Sequence, residues 1–276
     1  MTLSGALRFG RYSFPPNRLG YCGPADHGAL LEYVATGQAD AGLVDLARRF
    51  EGAYPYLVLI AHANGIADPF DDKVVEAYWI GNRCLGRVTP PELYASLDGN
   101  WAPKIKPGDF RWLTTKLLDH TAPALSTPQR AGPRPGVTRP GASRAPIANR
   151  ALPHHNFHVF DIYTRAGLMH GSRGDLAIAT MDSCRISWGR VSTVSGDTLV
   201  VERPQLCMSE GKLCLSAPRT ARVARQAEGR GFVGGARPGE YVSVHWDWAC
   251  EVLAPTALSR LRAATERCLA LANETM

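Results

Sequence analysis

The sequence predicts an α+β protein: a mainly helical N-terminal domain over 1–120, a Pro/Arg-rich linker over 121–153, and a small antiparallel β-barrel closed by a terminal helix over 154–276. Three observations carry this reading. Between Met181 and Leu253 lie short β-rich runs, Arg190 to Val194, Thr198 to Val201, Lys212 to Leu215, Arg222 to Arg225 and Tyr241 to His245. Ser195-Gly196-Asp197, Ser209-Glu210-Gly211 and Arg237-Pro238-Gly239 supply turn chemistry between them. A short sheet hides its edges and its apolar face most simply by closing on itself. Upstream, apolar residues recur at helical spacing. In between, residues 121–153 hold seven prolines, three glycines and no aromatic residue, too little apolar area to offset the entropy of ordering them.

Residues 1–23 read as an irregular lead-in, because Pro15-Pro16 is unsuited to a helix interior and Gly20 and Gly23 break the remainder of the segment. Pro24 suits a first turn, with Ala25 to Ala35 behind it and Leu30, Leu31 and Val34 on one face. Asp40 to Phe50 repeats the pattern with Leu43, Leu46, Ala47 and Phe50. The run Tyr56 to Asn64 is apolar nearly all round and predicts a buried helix that holds His62 in the core. Asp68-Pro69-Phe70-Asp71 is a start signal for a helix through Val74, Val75, Tyr78 and Trp79 to Cys84, ending at Gly86. Thr89-Pro90-Pro91-Glu92 opens the next; Trp101 falls in a loop, and Phe110 to Asp119 forms the last helix of the N-terminal part. His154 to Tyr163 has strand composition, Pro204 to Ala221 is long enough for an extra hairpin, and Pro255 to Asn273 is a helix.

The chain has 276 residues and a net charge of +6. Residues 1–120 contribute −1 and residues 154–276 contribute +2; the remaining +5 comes from five arginines in 121–153, where there is no acid. The basicity therefore belongs to a linker and not to a folded face, which argues against nucleic-acid binding. No run approaches the ~20 apolar residues of a membrane span, so the expectation is a cytoplasmic protein without a membrane partner. Seven cysteines, at 22, 84, 184, 207, 214, 250 and 268, include no CxxC, a pattern of reduced thiols. There is no Walker A lysine motif, GxGxxG, GxSxG or HExxH, so nucleotide chemistry and ordinary hydrolysis lack support.

Three groups of residues have chemistry in reach of their types. His154, His155 and His158 cluster within five positions; on a strand His154 and His158 share a face while His155 points away, and imidazole pairs suit zinc, nickel or iron. Cys22 precedes an expected helix N-terminus, whose dipole favours a thiolate and so a reactive cysteine. Trp246 and Trp248 share a face if the strand runs past His245, and offer a partner-binding surface.

The frame Cys184-x-Ile186-x-x-Gly189-x-Val191, then Gly239-Glu240-Tyr241-Val242-x-Val244-His245, then Glu251, Val252, Leu253 and a C-terminal helix resembles the HypC-type chaperones of nickel-iron hydrogenase maturation. That resemblance implies Cys184 and His245 as the residues that hold an iron fragment, and a hydrogenase large-subunit precursor or other maturation proteins as partners. Cys184 is internal here, whereas the family's cysteine stands next to the N-terminus. The segments RYSFPPNRLGYCGP and HHNFHVF resemble an uncharacterised bacterial family associated with hydrogenase gene neighbourhoods. The expectation is thus a non-enzymatic accessory or chaperone protein with transferable iron as its cargo. Two alternatives stand beside it: an enzyme that supplies or modifies a ligand of the metal centre through Cys22 or the His154/His155/His158 cluster, and an interaction module without metal.

Overall fold

A computed structural model describes residues 3–101, 151–162, 174–227, 229–274 and 276. The expected helix Phe110 to Asp119 and the linker up to residue 150 lie outside the described residues. The N-terminal part is helical and the C-terminal part holds the strands and a terminal helix.

Helix α1 spans Gly5–Arg18, where an irregular lead-in was expected. Ser4 caps it by accepting the Leu7 N–H, and Phe9, Tyr12 and Phe14 are fully buried. The proline pair fits because it occupies the last turn: Pro15 and Pro16 cannot donate to the carbonyls of Arg11 and Tyr12, and the Tyr12 carbonyl takes another donor instead, the His245 imidazole at 2.6 Å. Aspartates cap the next two helices, Asp26 for α2 (His27–Thr36) and Asp40 for α3 (Ala41–Arg48). Gly37, left-handed at φ 70°, ends α2. Helix α4 (Tyr54–Ala63) buries Tyr56, Leu57, Ile60 and Ala61 but leaves Val58 and His62 exposed, so His62 is a surface residue and not the expected core histidine. Helix α5 (Asp72–Trp79) is capped by Asp71 and is followed by a separate 3-10 turn, Arg83–Arg87, after Gly81 at φ 96°. In α6 (Pro90–Trp101), which includes Trp101, Glu92 accepts from both the Thr89 N–H and its hydroxyl, the carboxylate half of a capping box.

The strand expected over His154 to Tyr163 is helical. A short turn, His155–Phe157, runs into a π-helical turn, His158–Ile162. Two side chains override the β propensity of these residues: the His154 ring accepts the Asn156 N–H, and Asn156 itself pairs with both backbone groups of Ile186, at 2.7 and 2.9 Å, and with Thr265. Ala151 and Leu152, inside the span expected for the linker, are buried in the core.

Helix α7 (Gly174–Cys184) leads into strands β1 (Ser187–Ser195), β2 (Thr198–Arg203), β3 (Leu206–Ser209), β4 (Lys212–Leu215), β5 (Arg219–Ala224), β6 (Gln226–Ala227), β7 (Arg230–Gly231), β8 (Tyr241–His245) and β9 (Trp248–Leu253), then α8 (Pro255–Asn273). The pairing order β1-β2-β5-β9-β8 closes on itself, and β3-β4 and β6-β7 form separate hairpins. The sheet is mixed, not purely antiparallel: β5 meets β9 in parallel at Ala224 and Trp248. Gly189 is required where β1 crosses β2, since a Cβ there would lie 2.8 Å from the Val201 side chain. The expected division into a helical unit and a β unit does not coincide with a break in the core, because buried residues from α1 to α8 form one cluster. Arg8 of α1 pairs with Glu251 of β9, and the Tyr12 hydroxyl lies 2.7 Å from that of Ser243 in β8.

Candidate metal centre

Three elements bring a histidine, a cysteine and a second histidine together. His155 comes from the helical turn, Cys184 is the last residue of α7, and His245 ends β8. One ligand atom from each lies within 4.8 Å of the other two. The His155 Nε2 to Cys184 Sγ distance is 3.9 Å, and the two imidazoles meet edge to face at 5.1 Å between centroids, with Trp79 packed against both. Both histidines are buried and Cys184 is half-buried.

The surroundings prepare these atoms for ligation. His245 donates from Nδ1 to the Tyr12 carbonyl that Pro16 leaves free, which fixes the lone pair on Nε2. In the neutral ring that buried Nε2 makes no hydrogen bond, while the nearby Cys184 carbonyl favours its protonated form. His155 lies 3.1 Å from the Tyr78 hydroxyl through Nδ1 and 2.9 Å from the Cys184 carbonyl through Nε2. Because a tyrosine hydroxyl either donates or accepts, moving the proton from Nε2 to Nδ1 keeps the Tyr78 bond and frees Nε2 for a metal. Burial holds His245 down to about 4. It holds His155 well below the usual imidazole range, with His245 and His158 adding to the effect. Both rings are therefore neutral near pH 7. Burial pushes the Cys184 thiol up to about 12, the Cys22 thiol adds to this, and the Trp246 indole N–H opposes it. Without a cation beside it Cys184 is a thiol, unsuited to act as a nucleophile at neutral pH.

A polar anchor holds α7 at the cluster. Asp182 bonds the wholly buried Arg185 at 2.9 Å, Arg203 at 2.6 Å and the Leu206 N–H at 2.8 Å. Burial lowers Arg185 to about 10 against the pull of Asp182, and its Nη2 donates to the Pro204 carbonyl. The segment on either side of Cys184 is thus tied to the β2–β3 connection.

The other residues singled out from the sequence fall elsewhere. His154 and His158, expected as the metal pair, are buried and outside the cluster. His154 is a cap whose pKa burial lowers to about 3, and His158 sits 3.2 Å from the Tyr56 hydroxyl at about 4. His155, which a strand would have turned away, takes their place because the segment is helical. Cys22 precedes the Asp26 cap by four positions and so stands clear of the α2 N-terminus. The residue is exposed, yet its thiol is enclosed by protein and pushed up to about 12, the reverse of the expected activation. Trp246 and Trp248 do not share a face, since Trp246 and Asp247 form the turn between β8 and β9 at φ 49° and 55°. Trp248 is buried against Phe14 and Phe232, which removes it from any partner surface, and half-buried Trp246 stacks on the exposed Tyr21 ring at 4.1 Å. Sequence spacing carried no signal for Tyr78 or for the Tyr12 carbonyl; the proline pair was the one mark of the latter.

Among the described residues, no helix is long and apolar enough to cross a membrane. No curated protein and no solved structure matches the chain. A family model does match it over residues 1–126 and 139–276, and the chain belongs to that family, DUF6390, a family of unknown function.

Proposed function

We propose that the chain holds a transition-metal ion, or a small metal fragment, between His155, Cys184 and His245, and that it serves as an accessory protein in metal-centre assembly. The observation that carries this reading is the convergence of three soft or borderline donors, one of them a buried imidazole nitrogen without a partner. Unpartnered buried polar atoms are costly, and a metal satisfies this one. Zinc–sulfur and zinc–nitrogen bonds of about 2.0 to 2.3 Å put tetrahedral donors roughly 3.5 Å apart, so the cluster closes on an ion by a contraction of about 1 Å. Three protein ligands leave one position for an exogenous ligand, as a site that passes its cargo on requires. Thiolate plus imidazoles suit ferrous iron or zinc.

The resemblance of the Cys184 and His245 segments to HypC-type chaperones supports a narrower form of this proposal: a HypC-like barrel that carries iron as cargo, in the cytoplasm, toward a nickel-iron hydrogenase large-subunit precursor. The enzymatic alternative through Cys22 finds less support, because its thiol is held protonated.

Titration of the purified full-length protein with cobalt(II), a spectroscopic stand-in for zinc or ferrous iron, tests the metal reading. One equivalent should bind with a sulfur-to-cobalt charge-transfer band. Cys184→Ser should remove the band, and His245→Ala or His155→Ala should weaken binding by more than their loss of fold stability, followed by the melting temperature of the metal-free protein, accounts for; an unaltered titration in all three variants rejects the site. The hydrogenase part is tested separately, by co-purification with a large-subunit precursor. Metal binding without capture of the precursor would leave the site standing and remove the client.

A further inference from the structure

The β3–β4 hairpin holds a second pair of sulfurs that the metal proposal does not use. Cys207 and Cys214 are direct cross-strand partners, and their Sγ atoms lie 2.8 Å apart. Each thiol also points at the other residue's carbonyl, at 3.3 and 3.4 Å. Both residues are half-buried, so a small reagent reaches them. The other three free thiols of the β-sheet and terminal helix region lie differently: Cys250 and Cys268 are buried, and Cys184 belongs to the metal cluster.

The hairpin does not depend on a disulfide for its place. Leu206 at its start donates to Asp182 of α7. At its tip the Leu213 N–H donates to the Asn273 side chain, the Leu213 carbonyl accepts from it, and Lys212 reaches the Asn273 carbonyl. The strands are thus held on both sides with the thiols free, and the sulfurs are within about 1 Å of the bonded S–S length of about 2.05 Å. A small rotation about the two Cα–Cβ bonds closes the gap, while the backbone stays where its partners hold it.

We propose that Cys207 and Cys214 form a reversible thiol–disulfide exchange site whose partner is a low-molecular-weight disulfide of the glutathione class. The thiolate of one cysteine attacks a sulfur of the oxidised partner, forming a mixed disulfide and expelling one thiolate, which takes up a proton. The second cysteine loses its proton and attacks the protein sulfur of that mixed disulfide, forming the Cys207–Cys214 bond and releasing the second small thiol. Two protein thiols are oxidised and one small disulfide is reduced to two thiols. The close register makes the second step intramolecular and fast, so the mixed disulfide does not accumulate. Burial, together with the Cys214 thiol, pushes Cys207 up to about 11, which makes the first attack slow at neutral pH and faster as the pH rises.

The test uses the reduced full-length protein incubated with oxidised glutathione at pH 8, followed by alkylation, digestion and mass spectrometry. The expected product is an intramolecular Cys207–Cys214 peptide crosslink, lighter by two hydrogens, which excess dithiothreitol reverses. In Cys207→Ser and Cys214→Ser the crosslink should vanish, and the remaining cysteine should instead retain a glutathione adduct. Stable glutathione adducts on both cysteines of the unmodified protein, or full alkylation of both after incubation, would overturn the proposal. Mapping the unmodified protein gives the decisive result even if a variant folds poorly.

Discussion

At the scale of single residues, Pro16 acts through what it lacks. An alanine there would supply an N–H to the Tyr12 carbonyl and compete with His245 for it. Pro16→Ala should therefore gain helix stability, yet weaken cobalt or zinc affinity by about tenfold or more, the usual cost of losing an outer-shell orienter. Equal affinity in a direct titration would show that Nδ1 needs no such partner. Cys184 sets the pH response of the same site. Its thiol titrates near 12 without metal, while His245 is already neutral above about 4. Metal uptake near pH 7 should release one proton, from sulfur, and affinity should rise about tenfold per pH unit until the thiol titrates or metal hydroxide forms. Calorimetric titrations in buffers of different ionisation enthalpy measure that proton count, and a value of zero would exclude the thiolate as a ligand.

At the scale of elements, α7 is only as well placed as its anchor. Asp182→Ala strips buried Arg185 of its carboxylate and leaves buried Arg203 to the exposed Asp247. Removing one member of a buried ion pair typically costs about 3 to 5 kcal/mol, so urea unfolding of this variant should show a loss of that size; a loss under about 1 kcal/mol would class Asp182 with surface pairs. The elements also show what the sequence could and could not reveal. The bounds of β8 and of the terminal helix follow from Tyr241-Val242-x-Val244 and from Pro255 with its apolar spacing, because local preference and burial agree there. Helix α1 was hidden by a proline pair whose compensation comes from a residue more than two hundred positions away. The 155–162 segment was misread because aromatic and β-branched residues suit strands, while its real partners, Ile186 and Thr265, are remote in sequence. That one error turned attention to His154 and His158, whereas the residue of this segment that lies with Cys184 and His245 is His155. Strand β9 was missed because its turn uses Trp246 and Asp247 at positive φ, where turn signals are ordinarily glycine or asparagine.

At the scale of the whole molecule, buried neutral histidines govern acid stability. His154, His158 and His245 titrate at about 3, 4 and 4 in the folded protein, against about 6.5 in the unfolded chain. Their folded values are depressed, so the unfolded state binds protons first as pH falls. Stability is complete above about 6.5 and is lost between there and about 4, with a slope of about 1.4 kcal/mol per pH unit for each histidine. Denaturant midpoints measured from pH 7.5 to 4.5 should fall steadily through that window, and a flat profile would mean that these rings reach solvent. The bond from His245 to the Tyr12 carbonyl joins positions 233 residues apart, and α1 lies against β8 and β9. Long-range closure of this kind makes folding slow. It also fixes when the site comes into being: on the ribosome, His155 and Cys184 emerge well before β8, and α1 waits without its strand partners throughout. The three clustered side chains therefore come together in the same late event that completes the core, so under the metal proposal no nascent fragment short of β8 offers the full donor set.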